Sequence, residues 1–403
     1  WKETYDGVNE IHTQNPEELM TIMYTSGTTG SPKGAMHSVS SFDQLIKTAI
    51  EVIKMPEQPR YFSYLPMTHI AERAGVEMSV IYRGATVSFP ESLETFAEDL
   101  SSVQPHTFFG VPRIWQKFRD KILEKMPQKK LDKLLGIPII GNLVKKKIQK
   151  KLGLSKSVAN FSGAAPIAVS LMEWYEKLGI KVNQAYGMTE DCILSHFNLP
   201  GANKLGTVGR PLPGVESKLS PEGEILVKSN CLMKGYFKEP EKTASMFTQD
   251  GFLKTGDIGE FDHDGYLTIT GRLKDKFKTD KGKYISPAPI ELEISKNTDV
   301  EQICIVGTGI PQPLALIVPS ESGNTKSKDE LSASLWETIS SLNNSLQPYE
   351  KIAKAVIMQE TWTVENGLMT PTLKVKRNRV EDIHLEKYPE WFNEQERVVF
   401  EGR

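Results

Sequence analysis

Apolar residues recur along the chain in two alternating patterns, short runs typical of buried strands and longer stretches with helical spacing. The short runs predict strands at 61–66, 85–89, 106–111, 158–161 and 180–185. Between them the spacing predicts helices, including one over 92–103 that begins with Ser92 as its N-cap. Strands that alternate with helices in this way predict a parallel sheet covered on both faces.

The pattern changes in the second half of the chain. Residues 206–271 are rich in glycine, proline and short β patterns, which predicts a β-structured subdomain. Beyond it, strands are predicted at 290–294, 302–306 and 314–318 and a helix at 331–346. We therefore expect an α/β fold, with a parallel α/β large domain (1–273) that contains the β-structured subdomain and a smaller α+β C-terminal domain (274–403).

Composition and charge narrow the function classes. The 403 residues are 39% hydrophobic and 25% charged, as in a globular protein too long for a single core. The net charge of -2 gives no general attraction to nucleic acid. Cys192, Cys231 and Cys304 form no C-x-x-C pair, so the sequence indicates neither a disulfide framework nor a zinc site and favours a reducing, cytoplasmic location. No apolar run approaches the roughly 20 residues of a membrane span.

Residues 24–34 form one loop that contains three glycines, five Ser or Thr side chains and one lysine. Glycines let backbone N–H groups approach an anion, hydroxyls donate further hydrogen bonds, and Lys33 adds a positive charge. This composition suits a polyphosphate. The loop follows an apolar run and precedes a helical pattern at 42–53, so we expect it between a strand and a helix. Pro32 before the lysine and Gly34 after it disfavour a P-loop NTPase, whose Walker pattern they do not fit.

The whole 24–34 string resembles the phosphate loop of the adenylate-forming superfamily of acyl-CoA synthetases, nonribosomal-peptide adenylation domains and beetle luciferases. Two later segments, 65–73 and 369–377, are similar to motifs of the AMP-forming long-chain fatty acyl-CoA synthetases within that superfamily. In that family a long N-terminal portion of the large domain precedes the loop. The resemblance therefore leads us to expect a fragment of such an enzyme.

The resemblance implies a site for ATP and Mg²⁺. The positions that it assigns to the phosphates are Thr25, Ser26, Gly27, Thr28, Thr29, Gly30, Lys33 and Thr189. The positions that it assigns to the adenine are Gly163, Ala164, Ala165, Gln184, Tyr186, Gly187 and Met188. The ribose would be bound by Asp257 and Arg272. Glu190 and Thr28 would hold the metal ion, since magnesium prefers oxygen ligands shared with phosphates.

Four further positions are implied to act in catalysis or in binding the second substrate. Lys374 corresponds to the catalytic lysine, and Lys274 to the hinge between the domains. His69 lies near the carboxylate being activated, and Lys283 lies where relatives approach the nucleotide part of coenzyme A. From the residues alone, His69 also fits a satisfied structural histidine, and the lysines also fit solvated charges.

The reaction that the resemblance implies has two steps. A fatty acid carboxylate is ionised at neutral pH and must be activated before a thiol can attack it. Its attack on the α-phosphorus of ATP gives an acyl-adenylate and pyrophosphate, and coenzyme A then takes the acyl group. Four alternatives stay open: another carboxylate–CoA ligase, an adenylation domain that serves a carrier protein, a luciferase-type enzyme, and a nucleotide-binding fragment without turnover. The oligomeric state also stays open.

Residues 129–151 stand apart in composition. Eight lysines against Asp132 give a local charge of +7, and they flank an apolar run at 134–144 that is too short to cross a bilayer. An apolar patch ringed by lysines suits peripheral contact with the anionic inner face of a membrane. The same pattern suits a basic pair of helices that packs its apolar side internally. The sequence leaves both interpretations open.

Overall fold

The computed structural model describes residues 15–25, 32–92, 94–370 and 374–402. The elements up to residue 197 are β1 (Leu19–Thr25), β2 (Lys33–Ser38), α1 (Val39–Val52), β3 (Arg60–Phe62), α2 (Ile70–Glu72), α3 (Ser79–Arg83), β4 (Thr86–Ser88), α4 (Phe96–Val103), β5 (Thr107–Gly110), α5 (Pro112–Lys125), α6 (Gln128–Leu135), α7 (Pro138–Lys151), β6 (Ala159–Ser162), α8 (Val169–Lys177), β7 (Val182–Tyr186) and β8 (His196–Phe197). A π-helical segment, Arg73–Met78, joins α2 to α3 into one continuous helix.

The rest of the chain forms shorter strands and then a second group of helices. Its elements are β9 (Arg210–Pro211), β10 (Glu216–Leu219), β11 (Glu224–Lys228), β12 (Gly235–Tyr236), α9 (Pro240–Ser245), β13 (Leu253–Phe261), β14 (Leu267–Arg272), β15 (Phe277–Lys278), β16 (Tyr284–Ile285), α10 (Pro287–Ile294), β17 (Val300–Val306), β18 (Leu314–Pro319), α11 (Glu321–Asn324), α12 (Lys328–Asn343), β19 (Lys354–Ile357), α13 (Arg377–His384), α14 (Tyr388–Asn393) and β20 (Val398–Phe400). Single 3-10 turns lie at Thr189–Asp191, Leu273–Asp275 and Leu385–Lys387.

The expected parallel sheet forms only in part, because the first two predicted strands, β3 and β4, pair with each other in a separate two-stranded parallel sheet. β5, β6 and β7 pair in parallel, and β8 and β9 extend the sheet antiparallel. The aromatic side chains of Phe108, Trp115 and Tyr175 are buried between this sheet and the helices on one face. Such packing fixes the ends of β6 and β7, where ligands bind in open α/β sheets.

The first hairpin corrects the expected setting of the 24–34 loop. β1 pairs antiparallel with β2, with Thr25 opposite Lys33, so the loop joins two strands and not a strand and a helix. α1 begins only after β2, where the Ser38 side chain accepts a hydrogen bond from the Ser41 N–H at 3.3 Å. β2 has no strand-like apolar alternation of its own. Its strand structure comes from pairing with β1 and β12, which a reading of local periodicity does not detect.

The β-structured subdomain and the C-terminal domain each have their own sheet. β10, β11, β13 and β14 form an antiparallel sheet, as the glycine-rich pattern predicts. β17 and β18 are antiparallel, and β19 and β20 then join in parallel to give a mixed sheet. The expectation of a mixed α/β protein with a separate α+β C-terminal domain is confirmed.

Two predicted elements differ from the structure. Residues 290–294, predicted as a strand, form part of α10, because Pro287 suits the first helical turn and Ile290 and Ile294 are buried on one face four residues apart. The helix predicted over 92–103 begins later, at Phe96. Ser92 instead accepts a hydrogen bond from the Thr95 N–H at 3.2 Å within the preceding turn. In both places tertiary packing or local capping decides the outcome.

Candidate functional site

The ends of β6 and β7 come together as a close-packed pair of turns. Ser162 pairs with Gln184 across the two strands. After β6, Gly163 lies so close to β7 that a Cβ there would come within 2.9 Å of the Ala185 carbonyl oxygen. Ala164 has a positive φ of 66°, a strained conformation for a residue with a Cβ. The structure thus brings together the positions assigned to the adenine, except that Ala165 points out as an exposed residue.

Two buried oxygens beside this turn lack partners. Within the described residues, Gln184 Oε1 and Ser162 Oγ are buried without a hydrogen-bond partner. A buried amide oxygen without a donor is costly and uncommon in a folded protein. The exocyclic amino group of adenine is a donor of the kind that Gln184 Oε1 lacks, so the turn fits a purine.

A single carboxylate links the parallel sheet to the β-structured subdomain. Asp257, buried on β13, accepts hydrogen bonds at 2.8 Å from the Tyr186 hydroxyl and at 2.8 Å from Arg272 Nε. Burial, followed by the charge of Asp257, raises the pKa of Tyr186 well above its usual range, so the phenol stays a donor. The two residues predicted for the ribose therefore lie side by side, next to Tyr186, one of the residues predicted for the adenine.

The phosphate end of the site gathers a carboxylate and several lysines. Glu190 is buried and accepts a hydrogen bond at 2.7 Å from the Tyr236 hydroxyl. Lys33 Nζ lies 5.3 Å from the centroid of the same Tyr236 ring. Partial burial lowers the pKa of Lys33, and the neighbouring charges of Lys242 and Lys274 lower it further. Clustered cations of this kind suit a polyphosphate.

Several residues of this site were missed by the sequence analysis. Tyr236 holds Glu190, and its own N–H donates to Thr243 Oγ1 at 2.8 Å, which ties β12 to α9 and so places Lys242. Asp191 is buried and accepts a hydrogen bond from the Met188 N–H at 2.8 Å, and burial raises its pKa to about 8. The only signal for these residues in the sequence was their position beside motif residues, because an isolated Tyr or Asp carries no pattern.

An apolar cavity of about 210 Å³ runs from the adenine turn into the large domain. His69 lines its entrance, and its Nδ1 accepts a hydrogen bond from the Ala71 N–H at 3.1 Å as the N-cap of α2. Burial, followed by the nearby charge of Lys374, lowers the pKa of His69 to about 4, so the imidazole is neutral at physiological pH. The structure thus brings His69 and Lys374 together at one end of the cavity.

Lys374 reaches this entrance from the C-terminal domain. Its main-chain N–H donates to Thr370 Oγ1 at 3.1 Å, and the Thr370 N–H donates to the Lys374 carbonyl oxygen at 2.8 Å. The residue retains much solvent-accessible surface, and it lines the cavity beside residues of the large domain. Desolvation there, together with the charge of Arg272, lowers the pKa of Lys374 to about 8.

Among the described residues, four further predicted positions, Lys283, Lys274, Thr25 and Lys33, do not line the apolar cavity. Lys283 is exposed, with its Nζ 5.6 Å from the Tyr349 ring centroid within the C-terminal domain. Lys274 is exposed on the 3-10 turn after β14. Thr25 and Lys33 close the base of the phosphate loop by strand pairing. The intervening positions Ser26, Gly27, Thr28, Thr29 and Gly30 fall outside the described residues.

The arrangement fits a magnesium ion only in company with a nucleotide. Within the described residues, no three His, Cys, Asp or Glu side chains form a group that would enclose a metal by themselves. Glu190 offers one carboxylate beside the cluster of lysines, and Thr189 lies next to it at the cavity wall. Mg²⁺ commonly uses one or two protein oxygens and completes its octahedron with phosphates and water.

Comparisons with known proteins agree with this geometry. A family model described as AMP-binding enzyme matches residues 2–237, and a model described as AMP-binding enzyme C-terminal domain matches residues 275–392. The chain is 32% identical over 417 residues to long-chain-fatty-acid–CoA ligase 5 of Rattus norvegicus, an alignment that covers 90% of this chain. It spans 60% of the length of that relative.

Solved structures show the same architecture. The adenylation domain of a carboxylate reductase from Mycobacterium chelonae superposes with a TM-score of 0.78 at 24% identity, covering 95% of this chain and 61% of that one. ATP-bound MatB from Rhodopseudomonas palustris superposes with a TM-score of 0.72 at 25% identity, covering 93% of this chain and 70% of that one. The first family model alone matches more than half of this chain, so the chain belongs to the AMP-binding enzyme family.

Proposed function

We propose that the protein activates a fatty acid with ATP to an acyl-adenylate, releases pyrophosphate, and transfers the acyl group to coenzyme A. The observation that carries the proposal is the meeting of a lysine and a neutral histidine, Lys374 and His69, at the entrance of an apolar cavity. The Asp257–Arg272 pair lies close enough for its charges to shift the pKa of Lys374. An aliphatic chain in the cavity would therefore present its carboxylate beside a nucleotide.

The main barrier to the first step is repulsion between two anions. A carboxylate oxygen attacks the α-phosphorus, a new O–P bond forms, and the bond to the departing pyrophosphate breaks. Lys374 would neutralise charge between the acyl and α-phosphate oxygens, while Lys33 and Lys274 would stabilise the leaving pyrophosphate. A magnesium ion, when bound by Glu190, supplies further charge neutralisation on the phosphates. The residues act by positioning and electrostatics, without a protein nucleophile.

The second step needs a different arrangement of the same domains. The thiol of coenzyme A attacks the acyl carbon, the C–O bond to AMP breaks, and the thiol loses its proton. We place the boundary between the large domain and a mobile C-terminal domain at residues 273 and 274, so that Lys374 withdraws from the entrance when the domain rotates about Lys274. Lys283, on a separate face of the C-terminal domain, would then approach the coenzyme A nucleotide.

The cavity walls favour an aliphatic acid over the alternatives. Its lining is mostly Leu, Ile, Val, Met and aromatic side chains, and a hydrophobic pocket selects by the area it buries. We expect ATP–pyrophosphate exchange in the presence of Mg²⁺ and long-chain fatty acids, and acyl-CoA formation when coenzyme A is added. Exchange without acyl-CoA formation would favour a carrier-linked adenylation domain. Nucleotide binding without exchange for any acid would contradict the proposed activity.

The helical pair α6–α7 supports a second proposal, contact with an anionic lipid surface. Leu131 and Ile148 are buried against the core, so one side of the pair packs internally, as one interpretation of the sequence expects. The turn and first half of α7 nevertheless expose apolar side chains, with Ile139 77% and Leu143 63% exposed, and the lysines of 129–151 flank them along the chain. Apolar insertion combined with a positive rim is the pattern of a peripheral membrane helix. None of the helices within the described residues has the length and apolar character that crossing a bilayer requires.

We expect co-sedimentation with vesicles that contain phosphatidylserine and not with vesicles of phosphatidylcholine alone. Binding should weaken as salt is raised, because lysine–lipid attraction is screened. Changing both Ile139 and Leu143 to Ser should reduce the bound fraction about tenfold or more, given about 0.8 kcal/mol for each buried methylene. The control is Ile81→Ser, which removes an apolar side chain of similar exposure (65%) away from the lysines. Equal binding by the unmodified protein, the double variant and the control would contradict the proposed lipid-binding surface on α6–α7.

A further inference from the structure

One face of a continuous helix forms a long wall of the apolar cavity. The segment from α2 through the π-helical turn to α3 contributes Glu72, Gly75, Val76, Ser79 and Arg83, at positions i, i+3, i+4, i+7 and i+11. Residues with that spacing lie on one face of a helix. At about 1.5 Å of rise per residue, the wall is about 16 Å long from Glu72 to Arg83. His69 stands at its beginning, next to the reacting end.

An adjacent wall comes from α1, which packs directly against this helix. Leu45, Ala49, Val52 and Ile53 line the cavity with the same helical spacing. The two helices are joined at the far end, where a terminal nitrogen of Arg83 (Nη2) donates a hydrogen bond at 3.2 Å to the carbonyl oxygen of Ile53, the C-cap of α1. Arg83 therefore lines the cavity where α1 and α3 both end, at the end of the helix face opposite to His69.

Gly75 leaves this helix face without a side chain at one position, although the backbone conformation there does not require glycine. Its φ is not positive, and a Cβ built on it would meet nothing within 4 Å. A glycine inside a helix costs about 1 kcal/mol relative to alanine. It lies in the π-helical turn Arg73–Met78, and such turns occur frequently at functional sites. The empty space beside Gly75 is the cavity itself.

We propose that this helix face determines acyl chain length: Gly75 lets the chain pass the π-helical turn, and Arg83 ends the cavity. The inference rests on the proposed function for the identity of the ligand as a fatty acid. A side chain at position 75 would divide the cavity, so that only the part next to His69 remained for the chain. Removing the Arg83 side chain would lengthen the cavity past Ile53.

The test measures binding and turnover separately. Equilibrium binding of octanoate, palmitate and arachidate is measured by displacement of a fluorescent fatty acid, and ATP–pyrophosphate exchange is measured with the same acids. Gly75→Leu should lower the preference for palmitate over octanoate about tenfold or more, since a methylene misplaced in an apolar pocket is worth 10-fold or more. Arg83→Ala should raise the preference for arachidate over palmitate. Ala49→Phe, on the adjacent α1 wall, should act as Gly75→Leu does.

The matched control adds bulk on the outer face of the same helix. Ile81→Phe, at a side chain that is 65% exposed, should leave the chain-length preference unchanged. Gly75→Leu should not lower the thermal midpoint, because leucine is the better helix former and the space is open. If Gly75→Leu and Ala49→Phe leave the chain-length preference unchanged while exchange is intact, the helix face does not determine chain length. The proposed ligase activity would still stand. If the chain-length preference in binding shifts as expected but no acid supports exchange, the helix face determines chain length and the proposed ligase activity is wrong.

Discussion

Lys374→Ala is expected to abolish acyl-adenylate formation while sparing thioester formation from supplied acyl-AMP. The side chain meets His69 at the cavity entrance and interacts with Arg272 and Asp257 electrostatically, so it acts where the two anions approach each other. Removing one preorganised cation from such a place costs about 10²–10³-fold in rate. Pyrophosphate exchange and acyl transfer from acyl-AMP, measured on one preparation, give the two half-reactions. Equal loss of both would contradict this role of Lys374.

The segment from Lys374 to Arg379 contains four basic residues, and we call it the basic strip. The control variant is Lys376→Ala, two residues further along the strip. Lys376 is the N-terminal flanking residue of α13 and does not line the cavity. It should retain both half-reactions within a few fold. If the strip acted only as a solvated positive surface, the two variants would behave alike.

The pH dependence gives an independent readout of the same lysine. The pKa of Lys374 is lowered to about 8, so its ammonium is charged below that pH and neutral above it. The adenylation step needs the charged form of Lys374, and the pH dependence of kcat/KM reports the pKa values of essential groups in the free enzyme. kcat/KM for exchange should therefore be flat below about pH 8 and fall above it, by up to tenfold per pH unit. Acyl transfer from acyl-AMP should not show this fall.

The nucleotide side of the site was predictable because its residues lie in ordered motifs. Two turns at strand ends, Gly163–Ala164 and Tyr186–Glu190, meet because parallel strands bring their carboxyl ends to the same edge of a sheet. The pairing of Asp257 with Arg272 follows from the register of β13 and β14, where they stand opposite each other. The sequence contains the motifs of Asp257 and Arg272 separately, and the antiparallel pairing of β13 with β14 brings the two residues into contact.

What escaped prediction depends on packing at long range. Tyr236 and Lys242 reach the phosphate end through pairing of β12 with β2, about two hundred residues earlier in the chain. The stretch 290–294 alternates apolar and acidic residues, Ile-Glu-Leu-Glu-Ile, which by itself favours a strand. Ile290 and Ile294 are also four residues apart, as on one helix face, and their burial on that face of α10 decides the outcome.

Lys274→Pro is expected to shift the two half-reactions in the opposite sense to Lys374→Ala: adenylate formation falls only modestly, from loss of the ammonium near Lys33, and thioester formation falls about a hundredfold. Here Lys374 already reaches the cavity entrance, an arrangement suited to adenylation. The orientation is supported by packing of α10 against β14 and by an ion pair between Arg113 and Glu301. The second step needs rotation about residue 274, and proline fixes φ near −65°. A misplacement of about 1 Å at the reacting atoms costs about 10²-fold.

Two comparisons separate a hinge effect from damage to the fold. Lys274→Ala removes the same ammonium from the neighbourhood of Lys33 but leaves the backbone free, so it should weaken exchange modestly and preserve acyl transfer. Lys274→Pro should differ from it mainly in acyl transfer from supplied acyl-AMP. Because both variants lack the charge, that difference isolates backbone rotation. Normal overall turnover in Lys274→Pro would remove residue 274 as the hinge, and the two half-reactions would then have to share one orientation of the domains.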